Sequence, residues 1–160
     1  MAGLLQASSG DVVFEGQGYA SLSEAQLDKL RADNFGFVFQ KLHLIGHLSV
    51  EQNIALAQNK ADPKRVKSLI DDLGLSGQEK QKARDLSVGE AQRVAIARAV
   101  ANSPKVIFAD EPTSALDDEN AEKVMDLIFE QAKKTGATVV AATHDARIKG
   151  RFETILEMAS

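Results

Sequence analysis

The sequence lacks several features, each of which would point to a different class of protein. It contains no cysteine, which excludes disulfide bridges and thiolate metal sites. It has no apolar run approaching the roughly 20 residues that a membrane-spanning helix needs. Its start, MAGLLQASSG, has neither the basic end nor the long apolar stretch of a secretory signal peptide. These absences predict a cytoplasmic protein.

A surplus of basic residues is also missing. The chain has 19 Lys and Arg against 23 Asp and Glu, for a net charge of -4 at pH 7. General nucleic-acid binders usually carry a basic excess, so we expect no nucleic-acid partner. The composition that is present, 44% hydrophobic and 26% charged over 160 residues, predicts one globular domain with a buried core.

Hydrophobic periodicity and turn residues predict helices that alternate with strands. The predicted strands are 11–16, 35–40, 105–110, 137–143 and 151–158. The predicted helices are 21–32, 49–58, 62–74, 87–102 and 117–136. The continuous apolar runs at 105–110 and 137–143 are typical of strands buried on both faces of a parallel sheet. The order in the second half therefore predicts an α/β fold with right-handed crossovers.

Two adjacent carboxylates follow the apolar run KVIFA. Asp110 and Glu111 stand at the carboxyl end of a predicted parallel strand, where open α/β sheets bind ligands. An aspartate there can hold magnesium, and a neighbouring glutamate can deprotonate an attacking water. An acidic turn without any function explains DEP equally well when that stretch is considered alone.

Gln40 and His144 also stand at the ends of predicted strands. Gln40 is either an amide ligand for a metal ion or a polar residue at a turn. His144 either contacts a phosphate or is a half-buried histidine beside Asp145, which can cap the next helix. These residues alone leave both interpretations open.

The segment LSVGEAQR precedes a run of helix-forming residues. Ser87 and Glu90 fit the S-x-x-E capping box, which accounts for both residues without any function. A helix N-terminus also offers free N–H groups and positive potential to a phosphate, and Gly89 would allow a ligand to approach the backbone closely. The segment therefore predicts a helix cap, a phosphate-binding element, or both.

Taken in order along the chain, these segments resemble the ATPase domain of ABC transporters over nearly the whole sequence. The matches are Gln40 with the Q-loop, Leu86 to Glu90 with the signature motif, Val106 to Glu111 with Walker B, Ser114 to Asp117 with the D-loop, and His144 with the switch histidine. The stretch around GFVFQ is most similar to the lipoprotein-releasing and macrolide-export ATPases.

The resemblance implies a P-loop NTPase-like parallel sheet core with a helical subdomain. The chain would be one partial ATPase domain, with 1–40 and 87–160 in the α/β core and 41–86 in the helical subdomain. It implies an ATP-hydrolysing subunit of a membrane transporter, of the export or lipoprotein-release type, that lies on the inner face of the cell membrane. The implied cofactors are ATP and Mg²⁺, and the implied partners are a transmembrane permease subunit and a second ATPase domain in a head-to-tail dimer.

The resemblance also implies roles for individual residues. Asp110, with Gln40, would hold magnesium. Glu111 would be the general base, and His144 would contact the terminal phosphate. The residues that would act on the partner's nucleotide or across the dimer interface are Ser87, Gly89, Glu90 and Asp117.

One motif of the family is absent. The P-loop, G-x-x-x-x-G-K-[ST], supplies the backbone cradle and the lysine that hold the phosphates, and the chain contains no Gly-Lys pair. The resemblance places the P-loop just before the segment similar to MAGLLQASSGDV, so we expect an incomplete copy that lacks the P-loop and the strands upstream of it. Because phosphoryl transfer depends on positioning and electrostatics, this chain alone should neither bind ATP tightly nor hydrolyse it. A missing central strand would also leave neighbouring strands, such as 105–110, with unpaired apolar edges.

A smaller departure lies inside the signature motif. The family usually has LSGGQ or LSGGE, whereas this chain has Val88 in place of the first glycine. A β-branched residue restricts the backbone and adds bulk beside the expected phosphate. We therefore expect weaker engagement of the partner's nucleotide.

An alternative function stays open. The chain would then be a non-catalytic module that lends only its signature motif and D-loop to an intact homologue. The DNA-repair and chromosome-maintenance ATPases share these motifs but carry a very long coiled coil between the Q-loop and the signature. The interval here, 41–85, is short and has no heptads, which excludes that class.

Overall fold

The computed structural model of the chain describes residues 2–3, 7–114 and 116–157. Two short strands, β1 (Val13–Phe14) and β2 (Gln17–Gly18), precede helix α1 (Glu24–Asn34). The later elements, in chain order, are β3 (Phe35–Val38), α2 (Val50–Ala55), α3 (Pro63–Asp72), α4 (Val88–Ala99), β4 (Val106–Asp110), α5 (Asp118–Thr135), β5 (Thr138–Ala142) and α6 (Ala146–Lys149). The predicted alternation of helices and strands is confirmed for the segments between residues 24 and 142.

Polar side chains fix where the helices begin. Ser23, Ser49 and Ser87 each start a helix with a complete capping box, in which the serine oxygen accepts from the third backbone N–H of the helix. At the other end of α5, Gly136 adopts φ 70°, a left-handed conformation that glycine reaches without steric cost. These local signals explain why helix boundaries can be read from the sequence to within a few residues.

Strands β3, β4 and β5 form one parallel sheet in that order. Strand β4 is paired on both sides, so the expectation that 105–110 would show an unpaired edge is wrong. The expectation of a fully buried strand at 137–143 is also wrong, since every residue of β5 is at least partly exposed. The reason is its position, because β5 is the last strand of the sheet among the described residues.

The core lies between one face of the sheet and helices α2 to α5. Val38, Ile107 and Ala109 point to this face and are almost fully buried. On the opposite face, Phe37 and Phe108 stack with ring centroids 5.5 Å apart and stay half-buried. Strand β4 is therefore buried on one face only, and not on both as its apolar run predicts.

Two predicted strands differ from the structure. The strand predicted at 11–16 is reduced to β1, because Glu15 and Gly16 both have positive φ and turn the chain back into β2. The strand predicted at 151–158 is absent from 151–157, and Met158 lies outside the described residues. Here Arg151 pairs with Glu122 and Asp126 of α5, so helix α5 and not a neighbouring strand holds this segment.

Among the described residues, no helix combines the length and the apolar character that crossing a bilayer would require.

Candidate functional site

The carboxyl ends of the three parallel strands meet at one edge of the sheet. Gln40 follows β3 by two residues, Asp110 ends β4, and His144 follows β5 by two residues. Because the strands run in the same direction, residues distant in sequence come together at this edge. The structure thus places four of the predicted site residues, counting Glu111, on neighbouring loops.

Gln40 contacts the loop between β4 and α5. Its side-chain Nε2 donates to Ser114 Oγ at 3.0 Å, and Ser114 Oγ donates to the carbonyl of Glu111 at 3.2 Å. A serine from the predicted D-loop therefore connects the glutamine to the backbone of the predicted general base. The contact leaves the amide oxygen of Gln40 free of this hydrogen bond and able to act as an acceptor or metal ligand.

Glu111 is held by the loop that follows β5. Its Oε1 lies 2.6 Å from His144 Nδ1 and accepts from the backbone N–H of His144 at 3.1 Å. Its Oε2 accepts from Thr143 Oγ1 at 3.1 Å. Glu111 also has φ 45°, a conformation that costs a non-glycine residue free energy. The carboxylate is thus aimed at the switch-histidine loop by several contacts together.

These contacts change the acidity of Glu111. Partial burial raises the pKa of its carboxyl, but the hydrogen bonds from the His144 side chain, the His144 backbone and Thr143 outweigh burial and bring the net pKa below its ordinary value. The charged form is therefore favoured in the folded chain. Loss of some of these donors would raise the pKa of Glu111 again and make it a stronger proton acceptor.

We expect Glu111→Gln to flatten the acid side of the stability profile. A carboxyl with a lowered folded-state pKa stabilises the fold fully above its unfolded pKa of 4.5, and this contribution disappears as the pH falls through the lower folded-state pKa. The variant should be less stable than the parent above pH 4.5, and the difference should shrink on acidification. Urea unfolding at a series of pH values measures this difference in the free energy of unfolding.

Glu119→Gln is the matched control for that experiment. Its carboxylate is exposed on the first turn of α5 and contacts Lys123 one turn later. If Glu111→Gln and Glu119→Gln change the free energy of unfolding by the same amount at every pH, the contacts with His144 and Thr143 do not stabilise the charged form of Glu111.

Asp110 is exposed, and none of the described residues forms a hydrogen bond with its side chain. The described residues contain no group of three or more His, Asp or Glu side chains placed to hold a metal ion by themselves. One carboxylate and one amide oxygen remain as candidate ligands, Asp110 and Gln40. Magnesium is often bound in this way, because it keeps several waters and takes further oxygens from phosphates.

Asp117 begins helix α5 as its N-cap. Its carboxylate accepts from the backbone N–H and the side-chain Nδ2 of Asn120, both at 2.9 Å. The hydrogen bond from the Asn120 backbone is the largest cause of a lowered pKa at this carboxyl. The residue is exposed, so its side chain is both fixed in direction and accessible to another molecule.

The signature segment lies apart from these contacts, at the start of α4. Ser87 Oγ accepts from the Glu90 N–H and donates to Glu90 Oε2 at 2.8 Å, and the same carboxylate oxygen accepts from the Ser87 N–H at 2.8 Å. The hydrogen bond from the Ser87 backbone is the largest cause of a lowered pKa at Glu90. The predicted capping box is therefore present, and Ser87 must release Glu90 before its hydroxyl can donate to a phosphate.

The two residues between the members of this cap are open to solvent. Val88 is 71% exposed, although it is a large apolar side chain. Gly89 is exposed as well, and a Cβ there would meet only Arg93 Nη1 at 3.6 Å. The N-terminus of α4 thus presents backbone and one apolar side chain to whatever approaches it.

Sequence reasoning missed two arginines that fix the loops of the site. Arg98 donates to the carbonyls of Leu42 and His43, both at 2.6 Å, and thereby ties α4 to the segment after Gln40. Arg147 donates to two carbonyls of the β4–α5 loop, those of Thr113 and Leu116. No spacing rule predicts such side chain to carbonyl contacts, since their partners lie 31 or more residues away along the chain.

Comparison with known protein families identifies the family of this chain. The family model described as ABC transporter matches residues 1–114. The chain belongs to the ABC transporter family. The resemblance inferred from the motifs at Gln40, Leu86 to Glu90 and Val106 to Glu111 is thereby confirmed.

Curated relatives within this ABC transporter family are export proteins. The macrolide export ATP-binding/permease protein MacB of Shigella flexneri is 40% identical, with coverage of 96% of this chain and 24% of the relative. The probable syringafactin export ATP-binding/permease protein SyfD of Pseudomonas syringae pv. syringae is 38% identical, with coverage of 94% and 24%. The chain therefore spans about a quarter of the length of these ABC transporter relatives.

Solved ABC transporter structures share the fold. The dimeric ATP-binding cassette MJ0796, described in a post-hydrolysis state bound to ADP and Pi, matches with a TM-score of 0.74 at 36% identity, over 88% of this chain and 65% of that chain. The protein cbiO1 of Clostridium perfringens, part of an ABC transporter complex, matches with a TM-score of 0.79 at 33% identity, over 90% and 59%. The predicted α/β fold of an ATP-binding cassette is confirmed.

Proposed function

We propose that this chain is part of the ATP-binding and ATP-hydrolysing subunit of an ABC transporter of the export type. The observation that carries the proposal is the meeting of Gln40, Glu111 and His144 at one edge of the sheet, through Ser114 and direct contacts. An amide, a carboxylate and an imidazole on neighbouring loops fit a site that holds a nucleotide phosphate, its metal ion and a water. The export assignment rests on the relatives SyfD and MacB.

Each residue of this edge has a definite part in the proposed site. Asp110 and Gln40 would hold magnesium, which shields the phosphate charge when it is bound. Glu111 would accept the proton of the attacking water, and His144 would donate to the terminal phosphate. The imidazole is 84% exposed, so its ring can turn from Glu111 to a phosphate without breaking any packing.

The proposed assembly includes two further partners. The dimeric state of the similar cassette MJ0796 supports a second ATPase domain as one partner. That domain would place its nucleotide against Ser87, Gly89 and Glu90, with Asp117 at the interface. A transmembrane permease would dock on the helical subdomain, for which we propose 41–86, while 1–40 and 87–160 form the core. The subunit would lie on the cytoplasmic face of the membrane.

A second candidate function is favoured by the open N-terminus of α4. Because Val88 and Gly89 are exposed and Ser87 is fixed as the N-cap of α4, the chain can present its signature motif to an intact homologue. In that case its own Glu111 would not take part in the chemistry. The two functions differ in which residues of this chain matter for turnover.

Mixing the chain with a disabled cassette tests these functions. A variant of the dimeric cassette MJ0796 that carries a disabled signature motif should be inactive by itself, and this chain should restore hydrolysis by supplying Ser87 in trans. Ser87→Ala should then lower the restored turnover by roughly 10²-fold or more, because it removes a donor to the transition state. Phosphate release at increasing concentrations of the chain is the measurement.

Glu111→Gln is the matched variant in the same mixture. If the chain serves only as a signature donor, this variant restores turnover as well as the parent does. If Glu111→Gln lowers turnover as much as Ser87→Ala, the chain takes part in catalysis beyond donating its signature. Failure of the parent chain to restore any hydrolysis at saturating concentration would contradict the signature-donor function.

A further inference from the structure

One guanidinium group connects three separate segments beside the site. Arg147 Nε and Nη2 form a fork on the carboxylate of Asp145, with Nε–Oδ1 at 2.9 Å and Nη2–Oδ2 at 2.7 Å. Its Nη1 donates to Asp118 Oδ1 at 2.6 Å and to the carbonyl of Leu116 at 3.2 Å, and Nη2 donates to the carbonyl of Thr113 at 3.3 Å. A single side chain thus joins the segment after β5, the β4–α5 loop and the first turn of α5.

The anchor of this arrangement is buried. The side chain of Asp145 is only 9% exposed, and its Oδ2 also accepts from the hydroxyl of Thr113 in the β4–α5 loop, at 2.7 Å. Thr113 itself is fully buried. The hydrogen bond from Arg147 is the largest cause of a strongly lowered pKa at Asp145, so this carboxylate stays charged across the physiological range. A buried carboxylate that is paired on both oxygens is a rigid attachment point.

The segments joined in this way carry predicted functional residues. Asp117 lies between Leu116 and Asp118, both of which contact Arg147. His144 directly precedes Asp145, and its backbone N–H donates to Glu111. Asp117 and His144 therefore stand on opposite sides of one clamp.

We propose that Arg147 is a positioning residue that locks the β4–α5 loop to the segment after β5, so that Asp117 and His144 are held and released together. The rigidity follows from the contacts of Arg147 alone. Its consequence for hydrolysis rests on the proposed function, in which Asp117 faces a second ATPase domain and His144 faces the terminal phosphate. Under that function, contact at the dimer interface is transmitted to the switch histidine through this clamp.

The chain offers a close control for the test. Arg151 lies four residues after Arg147 and also pairs with two carboxylates of α5, Glu122 and Asp126, both at 2.6 Å. It contacts neither the β4–α5 loop nor Asp145 among the described interactions. Arg151→Gln therefore removes the same charge and a pair of similar ionic contacts from α5 without opening the clamp.

Amide hydrogen exchange on the whole chain decides the proposal. In Arg147→Gln the amides of Ser114, Leu116, His144 and Asp145 should all exchange about tenfold faster. The substitution removes the charged hydrogen bonds of the guanidinium, which hold these segments together in one closed state. The amides of β4 should be unchanged. Arg147→Lys keeps the charge but not the fork, so it should restore protection only in part.

Two results would overturn the proposal. Faster exchange at Asp145 alone, with Ser114 and Leu116 as in the parent, would mean that Arg147 only holds Asp145, the N-cap of α6. If Arg151→Gln accelerates exchange at the same amides as Arg147→Gln, the effect comes from removing a positive charge next to α5 and not from opening the clamp. In the mixed ATPase assay, Arg147→Gln should act through Asp117 at the dimer interface and lower the maximal restored turnover several-fold, without changing the amount of chain that gives half of the maximal turnover. Absence of any restored turnover by the parent chain counts against the signature-donor function, whereas the exchange data test the clamp independently.

Discussion

Gly36→Ala should destabilise the chain more than alanine at any other glycine. A Cβ at Gly36 would lie 2.1 Å from the carbonyl oxygen of Ala99 and 2.9 Å from its carbonyl carbon, in the last turn of α4. Both atoms are backbone, so no rotamer change relieves the overlap. We expect a loss of about 3 kcal/mol, at the upper end of the usual cost of overpacking.

Thermal and urea unfolding measure this effect. For a chain of this size a loss of that order lowers the melting temperature by roughly 10 °C. Gly150→Ala is the matched control, since Gly150 has φ -65° and a Cβ there meets nothing within 4 Å. If the melting temperature of Gly36→Ala lies within about 2 °C of that control, β3 and α4 can move apart without a loss of stability. That result would contradict the close contact between Gly36 and the Ala99 carbonyl.

The close approach of β3 and α4 also matters for the site. Helix α4 begins with the signature segment at Ser87 and ends against Gly36, and Arg98 in its last turn contacts the carbonyls of Leu42 and His43. The same helix thus presents Ser87 and supports the segment that follows Gln40. A change in packing at Gly36 would therefore disturb both elements together.

Much of this fold could be predicted from local sequence. The apolar run at 105–110 became β4, and Asp117 and Gly136 marked the two ends of α5, because caps and hydrophobic periodicity act within a few residues. The strand predicted at 151–158 was wrong because its formation depends on a distant partner and not on local sequence. Its alternating pattern suits a strand, but a strand also needs a partner, and here Arg151 and Phe152 contact α5 instead.

The site shows the same limit. Gln40, Glu111 and His144 were identified from motifs, yet the contacts that connect them join residues 74 and 33 positions apart. Positive φ at Glu111 and the fork of Arg147 on Asp145 depend on how the sheet aligns its strand ends, which no local pattern records. Residue types could be predicted, whereas their mutual orientation required the fold.

Joining a P-loop segment to this chain should give it ATP affinity and ATPase activity. The 160 residues contain no Gly-Lys pair, so by themselves they should show no micromolar affinity for ATP in calorimetry. A designed strand–GxxxxGKS–helix segment joined ahead of the first residue should raise ATP affinity by about a hundredfold or more, since each hydrogen bond to a charged phosphate contributes about 1.5–3 kcal/mol. Replacing the lysine of that segment by alanine should remove most of the gain.

Within this fusion, Glu111→Gln should leave ATP binding intact and lower turnover by roughly 10²–10⁴-fold, the usual contribution of a general base. In the structure Oε1 of Glu111 contacts the ring and the backbone N–H of His144, and Oε2 accepts from Thr143 Oγ1. We expect the exposed ring of His144 to turn to the terminal phosphate during hydrolysis, which frees one acceptor position of Oε1 for the attacking water while the His144 backbone N–H stays bound. Glu119→Gln, which changes an exposed carboxylate of α5, should keep full turnover. If Glu111→Gln hydrolyses ATP as fast as Glu119→Gln does, Glu111 is not the base, and the contact with His144 only stabilises the loop.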